Sequence, residues 1–266
     1  MRRFGVVAVL LTAVWALAMP GVAAATVTPK TALTYGDSIT WESNWETVHQ
    51  FAGKTGWTFH LHAYPGTAVC DWLPWLADDL ATFAPSVVGI ETAGNWFRPC
   101  MIDANGNLPA LGSPAFLAKY QANLATFFAT VTATGAKVVF IQSPPMLDST
   151  RNAAITRLNV IARSLAANYH GVSIATGPRN AVSASGKYVA VKPCLTIELT
   201  NPSCGQAGPG LIDIRTIVGI QTGLHFCPDG LQAGYPYPCD VYSSGEYRFG
   251  RALANTLVAP PPPILI

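Results

Sequence analysis

Strand and helix patterns alternate along the first two thirds of this 266-residue chain. Short apolar, β-branched runs are each followed by a segment with helical spacing of apolar residues, as where Ser86–Thr92 precedes Pro114–Thr132. Such alternation favours a parallel sheet covered by helices on both faces. In sheets of this kind the reactive loops lie beyond the carboxyl ends of the strands. The sequence therefore predicts an α/β fold with a parallel central sheet.

The predicted elements cover most of the chain between residues 31 and 257. Strands are expected up to Gly36 and at Trp57–Ala63, Ser86–Thr92, Ala136–Gln142 and Val172–Ala175. Helices are expected at Trp41–Gly53, Asp71–Phe83, Pro114–Thr132, Ser149–Tyr169 and Ser243–Leu257. The stretch 177–242 is rich in Gly, Pro and Cys and lacks regular periodicity, which predicts an irregular C-terminal region rather than a second domain.

The N-terminal segment has the pattern of a secretory signal peptide. Arg2 and Arg3 precede an apolar run, and Ala23-Ala24-Ala25 offers a cleavage site. An uncleaved N-terminal anchor is the alternative, although the run is shorter than the ~20 residues of a typical membrane span. We therefore expect a signal peptide at 1–25, one domain at 26–258 and a Pro-rich tail at 259–266. The mature protein is expected to be secreted or in the cell envelope, with no stable membrane span.

Charge excludes some partners. Without Arg2 and Arg3 the chain has 14 basic and 14 acidic side chains, and charged residues make up only 11% of the sequence. No basic stripe is present, so binding of nucleic acid through bulk electrostatics is excluded.

Six cysteines in an exported chain favour three disulfides. They are Cys70, Cys100, Cys194, Cys204, Cys227 and Cys239. Fifteen pairings are possible, and the shortest loops are closed by Cys70–Cys100, Cys194–Cys204 and Cys227–Cys239. A zinc site is the competing interpretation, but none of the spacings resembles paired Cys-x-x-Cys.

The stretch Gly36-Asp37-Ser38 places a serine where a predicted strand turns toward a helix. At such a turn the hydroxyl faces a cleft and backbone N–H groups face an anion. An ordinary turn with serine as a helix N-cap is the alternative. Gly66 and Asn95 follow the next two predicted strands, and His225 precedes the closing helix.

In this order and spacing, Gly36-Asp37-Ser38, Gly66, Gly94-Asn95 and His225 resemble the motifs of SGNH (GDSL-type) hydrolases, which include esterases, lipases and carbohydrate deacetylases. The resemblance implies a flavodoxin-like α/β/α sandwich, acyl transfer through a serine, and no cofactor or metal. Carried over, Ser38 is the nucleophile and His225 its base. The backbone N–H groups of Ser38 and Gly66 and the amide of Asn95 form the oxyanion hole.

The chain departs from the family at one position. The pattern usually has Asp three residues before the His, and Thr222 stands there instead. Three arrangements remain open: a Ser–His dyad oriented by Thr222 or a backbone carbonyl, a carboxylate from elsewhere with Asp229 and Asp213 nearest in sequence, or a catalytically impaired binding module.

A further resemblance is to secreted, actinobacterial-like esterases and envelope acyl-modifying proteins, on Asn95-Trp96 and His225-Phe226-Cys227-Pro228. It implies ester-linked acyl groups on small esters, glycans or lipids as substrates. The chain is thus interpreted as an exported serine esterase or O-deacylase; the alternatives are an O-acyltransferase and a disabled module that binds glycan or lipid. Several aromatic residues are candidates for stacking on sugars or lining an acyl pocket, or else for core packing: Trp72, Trp75, Trp96, Phe97 and Phe226.

Overall fold

The computed structural model describes residues 29–216, 223–228 and 238–263. The predicted signal peptide lies outside these residues, as do Thr222 and Asp229, so the domain boundary at residue 25 stays a prediction. In the described part of the chain no helix is long and apolar enough to span a membrane.

Five parallel strands form the central sheet in the order β2-β1-β3-β4-β5. Their bounds are Lys30–Gly36 (β1), Trp57–Ala63 (β2), Val87–Ile90 (β3), Lys137–Ile141 (β4) and Val172–Ala175 (β5). This order is that of the flavodoxin-like doubly wound fold, whose strand order reverses beside β1. The predicted fold class is confirmed, and the loops after β1, β2 and β3 lie together at one edge of the sheet.

Helices cover both faces of the sheet. They are Ser38–Glu42 (α1), Asn44–Ala52 (α2), Val69–Phe83 (α3), Pro114–Thr132 (α4), Ser149–Ala166 (α5), Gly177–Ala181 (α6) and Ser244–Val258 (α7). One core lies between the sheet and α3, α4 and α5, with Phe127 and Phe128 fully buried. The other lies beneath α2 and α7, where Phe51, Phe249 and Leu253 pack. The apolar stripes predicted from sequence thus become the two inner faces of a three-layer sandwich.

The C-terminal region is irregular, as expected. Between α6 and α7 the described residues form a two-stranded antiparallel ribbon, Val191–Pro193 (β6) with Leu211–Asp213 (β7). The three short-loop disulfides are confirmed: Cys70–Cys100, Cys194–Cys204 and Cys227–Cys239.

The first helical segment differs from its prediction. The single helix expected at Trp41–Gly53 is two helices, and the first begins three residues earlier, at Ser38. Asp37 is its N-cap and accepts a hydrogen bond from Ile39 N at 3.0 Å. The Ser43 hydroxyl donates to the carbonyls of Ile39 and Thr40 and ends the turn. Residues 38–42 therefore form one separate helical turn at the end of β1.

Candidate active site

The turn from β1 into α1 is a tight elbow that only glycine permits. A Cβ on Gly36 would lie 2.3 Å from Thr40 Cβ, which is closer than any real contact. The backbone therefore reverses over one residue, and Ser38 becomes the first residue of α1. At that position its backbone N–H has no partner within the helix. This leaves the N–H available for an anion beside the serine hydroxyl.

Asn95 is brought to this elbow by its own amide group. Its Nδ2 donates to Asp37 Oδ2 at 3.1 Å and to Thr67 O at 2.9 Å. Gly66, next to Thr67, has a φ of +80°, and a Cβ there would lie 3.2 Å from the ring of Phe97. The structure thus gathers three of the four predicted loop residues, Ser38, Gly66 and Asn95, around Asp37. Both hydrogens of the Asn95 amide have acceptors in this arrangement.

Asp37 shares its buried environment with a second carboxyl group, Glu91. Glu91 accepts hydrogen bonds from Thr40 Oγ1 at 2.9 Å and Ser143 Oγ at 2.7 Å, and both carboxyl groups are fully buried. Burial raises the pKa of Asp37 to about 6, against the lowering effect of N–H donors from Ala93 and Ile39. Burial and the neighbouring Asp37 hold the pKa of Glu91 well above its usual range. Asp37 is therefore the first of the two to ionise, and it is the carboxyl group that accepts from Asn95.

This pair makes stability depend on pH. Since the folded protein binds these protons more tightly than the unfolded chain, the free energy of unfolding decreases as pH rises from about 4 through 6. Glu91→Gln removes one titrating group and supplies an N–H donor to Asp37. We expect the free energy of unfolding of the variant to rise relative to that of wild type as pH increases from about 4 to 7. Urea unfolding from pH 4 to 8 measures this, and a difference independent of pH would contradict it.

His225 lies outside regular secondary structure and is held by its neighbours. Its carbonyl accepts from Thr216 N at 2.6 Å, and Thr216 Oγ1 donates to Cys227 O at 2.7 Å. Cys227 is bonded to Cys239, and the Ser243 hydroxyl at the start of α7 donates to Phe226 O at 2.8 Å. The His225 side chain is 4% exposed. Its charge, when it is protonated, is among the influences that lower the pKa of Asp37.

The side chain at Nδ1 of His225 is Glu42, a residue that the sequence analysis missed. Glu42 Oε1 lies 2.7 Å from His225 Nδ1, and Glu42 Oε2 accepts from Phe226 N at 2.6 Å. The two atoms are in close contact, but the geometry is not that of an aligned hydrogen bond. Glu42 is fully buried and comes from α1, the helix that begins with Ser38. Asp213, one of the two predicted carboxylates, lies in β7.

A buried arginine lies beside this group. The guanidinium of Arg215 is 4.9 Å from the centre of the Phe226 ring, and its Nη2 donates to Pro145 O at 3.1 Å. Burial lowers the pKa of Arg215 to about 10, while Glu42 and Glu91 act in the opposite direction. Arg215 therefore stays protonated at neutral pH and contributes positive charge near the two glutamates.

The five aromatic candidates lie in three kinds of environment. Trp72 packs on Tyr35 in the core, and Phe226 is buried between Arg215 and Phe249. Trp96 faces the guanidinium of Arg151 at 4.9 Å. Trp75 and Phe97 are largely exposed. The Phe97 ring lies beside Gly66, so it is an exposed aromatic side chain next to one of the predicted oxyanion residues.

Several solved structures are similar to this chain. No curated protein sequence matches it. Solved structures similar to it include TesA, with 22% identity and a TM-score of 0.43 over 60% of this chain and 89% of that one. A lipase/acylhydrolase from Enterococcus faecalis has 19% identity and a TM-score of 0.41, over 60% and 86% of the two chains. A protein from Slackia heliotrinireducens whose description names an SGNH hydrolase has 14% identity and a TM-score of 0.40, over 55% and 78%.

One family model covers more than half of the chain. The matched region, residues 31–195, contains Ser38, Glu42, Gly66 and Asn95 and ends before His225. Its description is "Protein of unknown function (DUF459)", and the chain belongs to this family.

Proposed function

We propose that this protein is an exported serine esterase or O-deacylase in which Ser38 is the nucleophile and His225 the general base. The observation that carries the proposal is the environment of Asp37. This residue precedes Ser38, accepts a hydrogen bond from Asn95 and interacts electrostatically with His225. Residues from three distant parts of the chain therefore meet at one helix N-terminus, in an arrangement suited to acyl transfer.

The reaction follows from the chemistry of these groups. A serine hydroxyl is a weak nucleophile until an imidazole accepts its proton. Ser38 Oγ attacks the ester carbonyl while Nε2 of His225 takes the hydroxyl proton, and that proton then leaves with the alcohol. A water molecule attacks the acyl-serine, again giving its proton to His225, and releases the carboxylic acid and free Ser38. In this second step His225 passes the proton from water to Ser38 Oγ, and both side chains return to their starting state.

The developing oxyanion is stabilised by the backbone N–H groups of Ser38 and Gly66 and by the Asn95 amide. Asn95 enters this role only by releasing or sharing one of its two present hydrogen bonds, to Asp37 or to Thr67 O. Asp37 holds the amide at the elbow until the oxyanion forms. Because the amide already lies at the elbow, the rearrangement is confined to this one hydrogen bond.

Replacing Asn95 with alanine removes one oxyanion donor and one ligand of Asp37. We expect kcat to fall by about 10²- to 10³-fold, with a smaller change in KM, since the lost bond forms only in the transition state. Steady-state hydrolysis of p-nitrophenyl acetate measures this. Asn105→Ala, in an exposed turn, is the control. If kcat is unchanged in Asn95→Ala, the amide is not part of the oxyanion hole.

The cellular location and substrate are also part of the proposal. Three disulfides, with no free cysteine among the described residues, fit an oxidising compartment outside the cytoplasm. The substrate is an acyl ester, either a small ester or an acylated glycan or lipid. Phe97, exposed beside Gly66, is suited to contact either the acyl group or a sugar ring.

The test uses oxidised protein comprising residues 26–266. We expect a fluorophosphonate probe to label it at Ser38 and p-nitrophenyl acetate to be hydrolysed. Peptide mass spectrometry locates the label. Folded protein with intact disulfides that shows neither labelling nor turnover would overturn the enzyme proposal and favour a binding module. Labelling accompanied by acyl transfer to an added alcohol, with little hydrolysis, would replace the esterase by an acyltransferase.

A further inference from the structure

We propose that Glu42 is the residue that positions His225, in place of the carboxylate that is missing at position 222. The inference rests on the proposed Ser38–His225 chemistry and extends it to a residue outside the recognised motifs. It makes α1 a single helical turn that supplies both the nucleophile and the acidic group.

In the contact between the two side chains, a carboxylate oxygen faces the imidazole nitrogen that is not needed for accepting the serine proton. Glu42 Oε1 lies 2.7 Å from His225 Nδ1, and both side chains are almost completely buried. With Nδ1 facing a carboxylate, the neutral imidazole carries its proton on Nδ1 and leaves Nε2 free to accept the serine proton. The contact is bent in the resting structure, and catalytic hydrogen bonds often tighten only when substrate is bound.

Glu42 is itself held in place. Its other oxygen accepts a hydrogen bond from Phe226 N at 2.6 Å, so the residue following His225 fixes the same carboxylate that faces the ring. The positive charge of Arg215 is near enough to interact with Glu42. A buried carboxylate without such donors is costly, and these two groups offset that cost. The Phe226 N–H therefore fixes the carboxylate in the position from which it faces the His225 ring.

The helix geometry places the partner of the imidazole and the serine on the same face of α1. Ser38 and Glu42 are four residues apart in α1, so their side chains lie on one face about one turn apart. Side chains of a helix also lean toward its N-terminus. An imidazole that contacts Glu42 through Nδ1 thus lies against the face of α1 that carries Ser38.

The first test compares two glutamine variants. Glu42→Gln keeps an oxygen for Phe226 N but presents an amide N–H to Nδ1, which favours the wrong imidazole tautomer. We expect kcat to fall by about 10³- to 10⁴-fold, with little change in KM. Glu46→Gln is the matched control, because Glu46 is also nearly buried but pairs with Gln50 on α2. Glu42→Asp, which keeps the carboxylate on a shorter side chain, is expected to be more active than Glu42→Gln.

The second test does not depend on activity. Nitrogen-15 NMR of the histidine rings, with His225 assigned by its loss in His225→Gln, distinguishes the two neutral tautomers. We expect the proton on Nδ1 in wild type and on Nε2 in Glu42→Gln. The wild-type spectrum alone decides the pairing if the glutamine variant does not fold.

Two results would overturn the proposal: a wild-type tautomer with the proton on Nε2, or a folded Glu42→Gln variant within tenfold of wild-type kcat. If wild type neither hydrolyses esters nor reacts with fluorophosphonate, the proposed function fails. The NMR result then still decides separately whether Glu42 orients His225.

Discussion

Ser38→Ala is expected to abolish fluorophosphonate labelling and to reduce ester hydrolysis by about 10⁶-fold, to the level given by the remaining binding groups. The loss is this large because the hydroxyl forms the covalent bond to the acyl group, and no neighbouring group replaces it. The alanine side chain fits the elbow without strain, since Ser38 already has helical backbone geometry. The measurements are labelling followed by mass spectrometry and initial rates with p-nitrophenyl acetate.

Ser43→Ala provides the matched control for this variant. Ser43 is also buried and lies one turn further on, but its hydroxyl donates to the carbonyls of Ile39 and Thr40. We expect this control to label at Ser38 at a rate close to wild type. Hydrolysis retained in Ser38→Ala would show that the reaction uses another nucleophile, and labelling of a different serine would identify it.

His225→Gln is expected to have the second largest effect, a fall in kcat of about 10⁴- to 10⁶-fold. Without the imidazole no group accepts the Ser38 proton, although the oxyanion donors remain. Glutamine is close to histidine in size, and its amide can still contact Glu42. The fall in kcat is therefore expected to come from the missing base and not from a change in the structure of the site. The rate of fluorophosphonate labelling is expected to fall in parallel with kcat.

His49→Gln controls for the removal of a histidine from this region. His49 is exposed on α2. Both variants are checked by circular dichroism and by the absence of free thiols, because the Cys227–Cys239 disulfide closes immediately after His225. A folded His225→Gln protein that hydrolyses esters at the wild-type rate would exclude His225 as the base.

The local patterns of the chain predict its helices and strands, because the interactions behind these patterns join residues that are close in sequence. Ser113 and Pro114 mark the start of α4, and the structure begins the helix at Pro114 with the Ser113 hydroxyl accepting from Phe116 N. The sequence left fifteen cysteine pairings open, and the structure has the one that closes the shortest loops, since chain segments that are close in sequence meet readily. The parallel sheet follows from the alternation of strands and helices.

The helix at Ser38 is where the local pattern was misinterpreted. A helix start at Trp41 leaves Ser38 and Glu42 without a common face, whereas the N-cap Asp37 places both on α1. The sequence did contain this signal, because Asp followed by Ser-Ile-Thr-Trp-Glu is an acceptable helix start. The sequence could therefore have identified Glu42, four residues after Ser38, as a candidate partner of His225.

By itself, the sequence indicated the strand and helix order, named the pairing with the shortest loops as one of fifteen, and offered Ser38, Gly66, Asn95 and His225 as the motif residues. Only the tertiary structure showed which carboxylate faces His225 and that both hydrogens of the Asn95 amide are already engaged. The physical reason is that helix starts, turns and short disulfide loops depend on neighbouring residues. The partner of a buried imidazole depends instead on how α1 and the loop before α7 pack together, and no spacing along the chain records that contact.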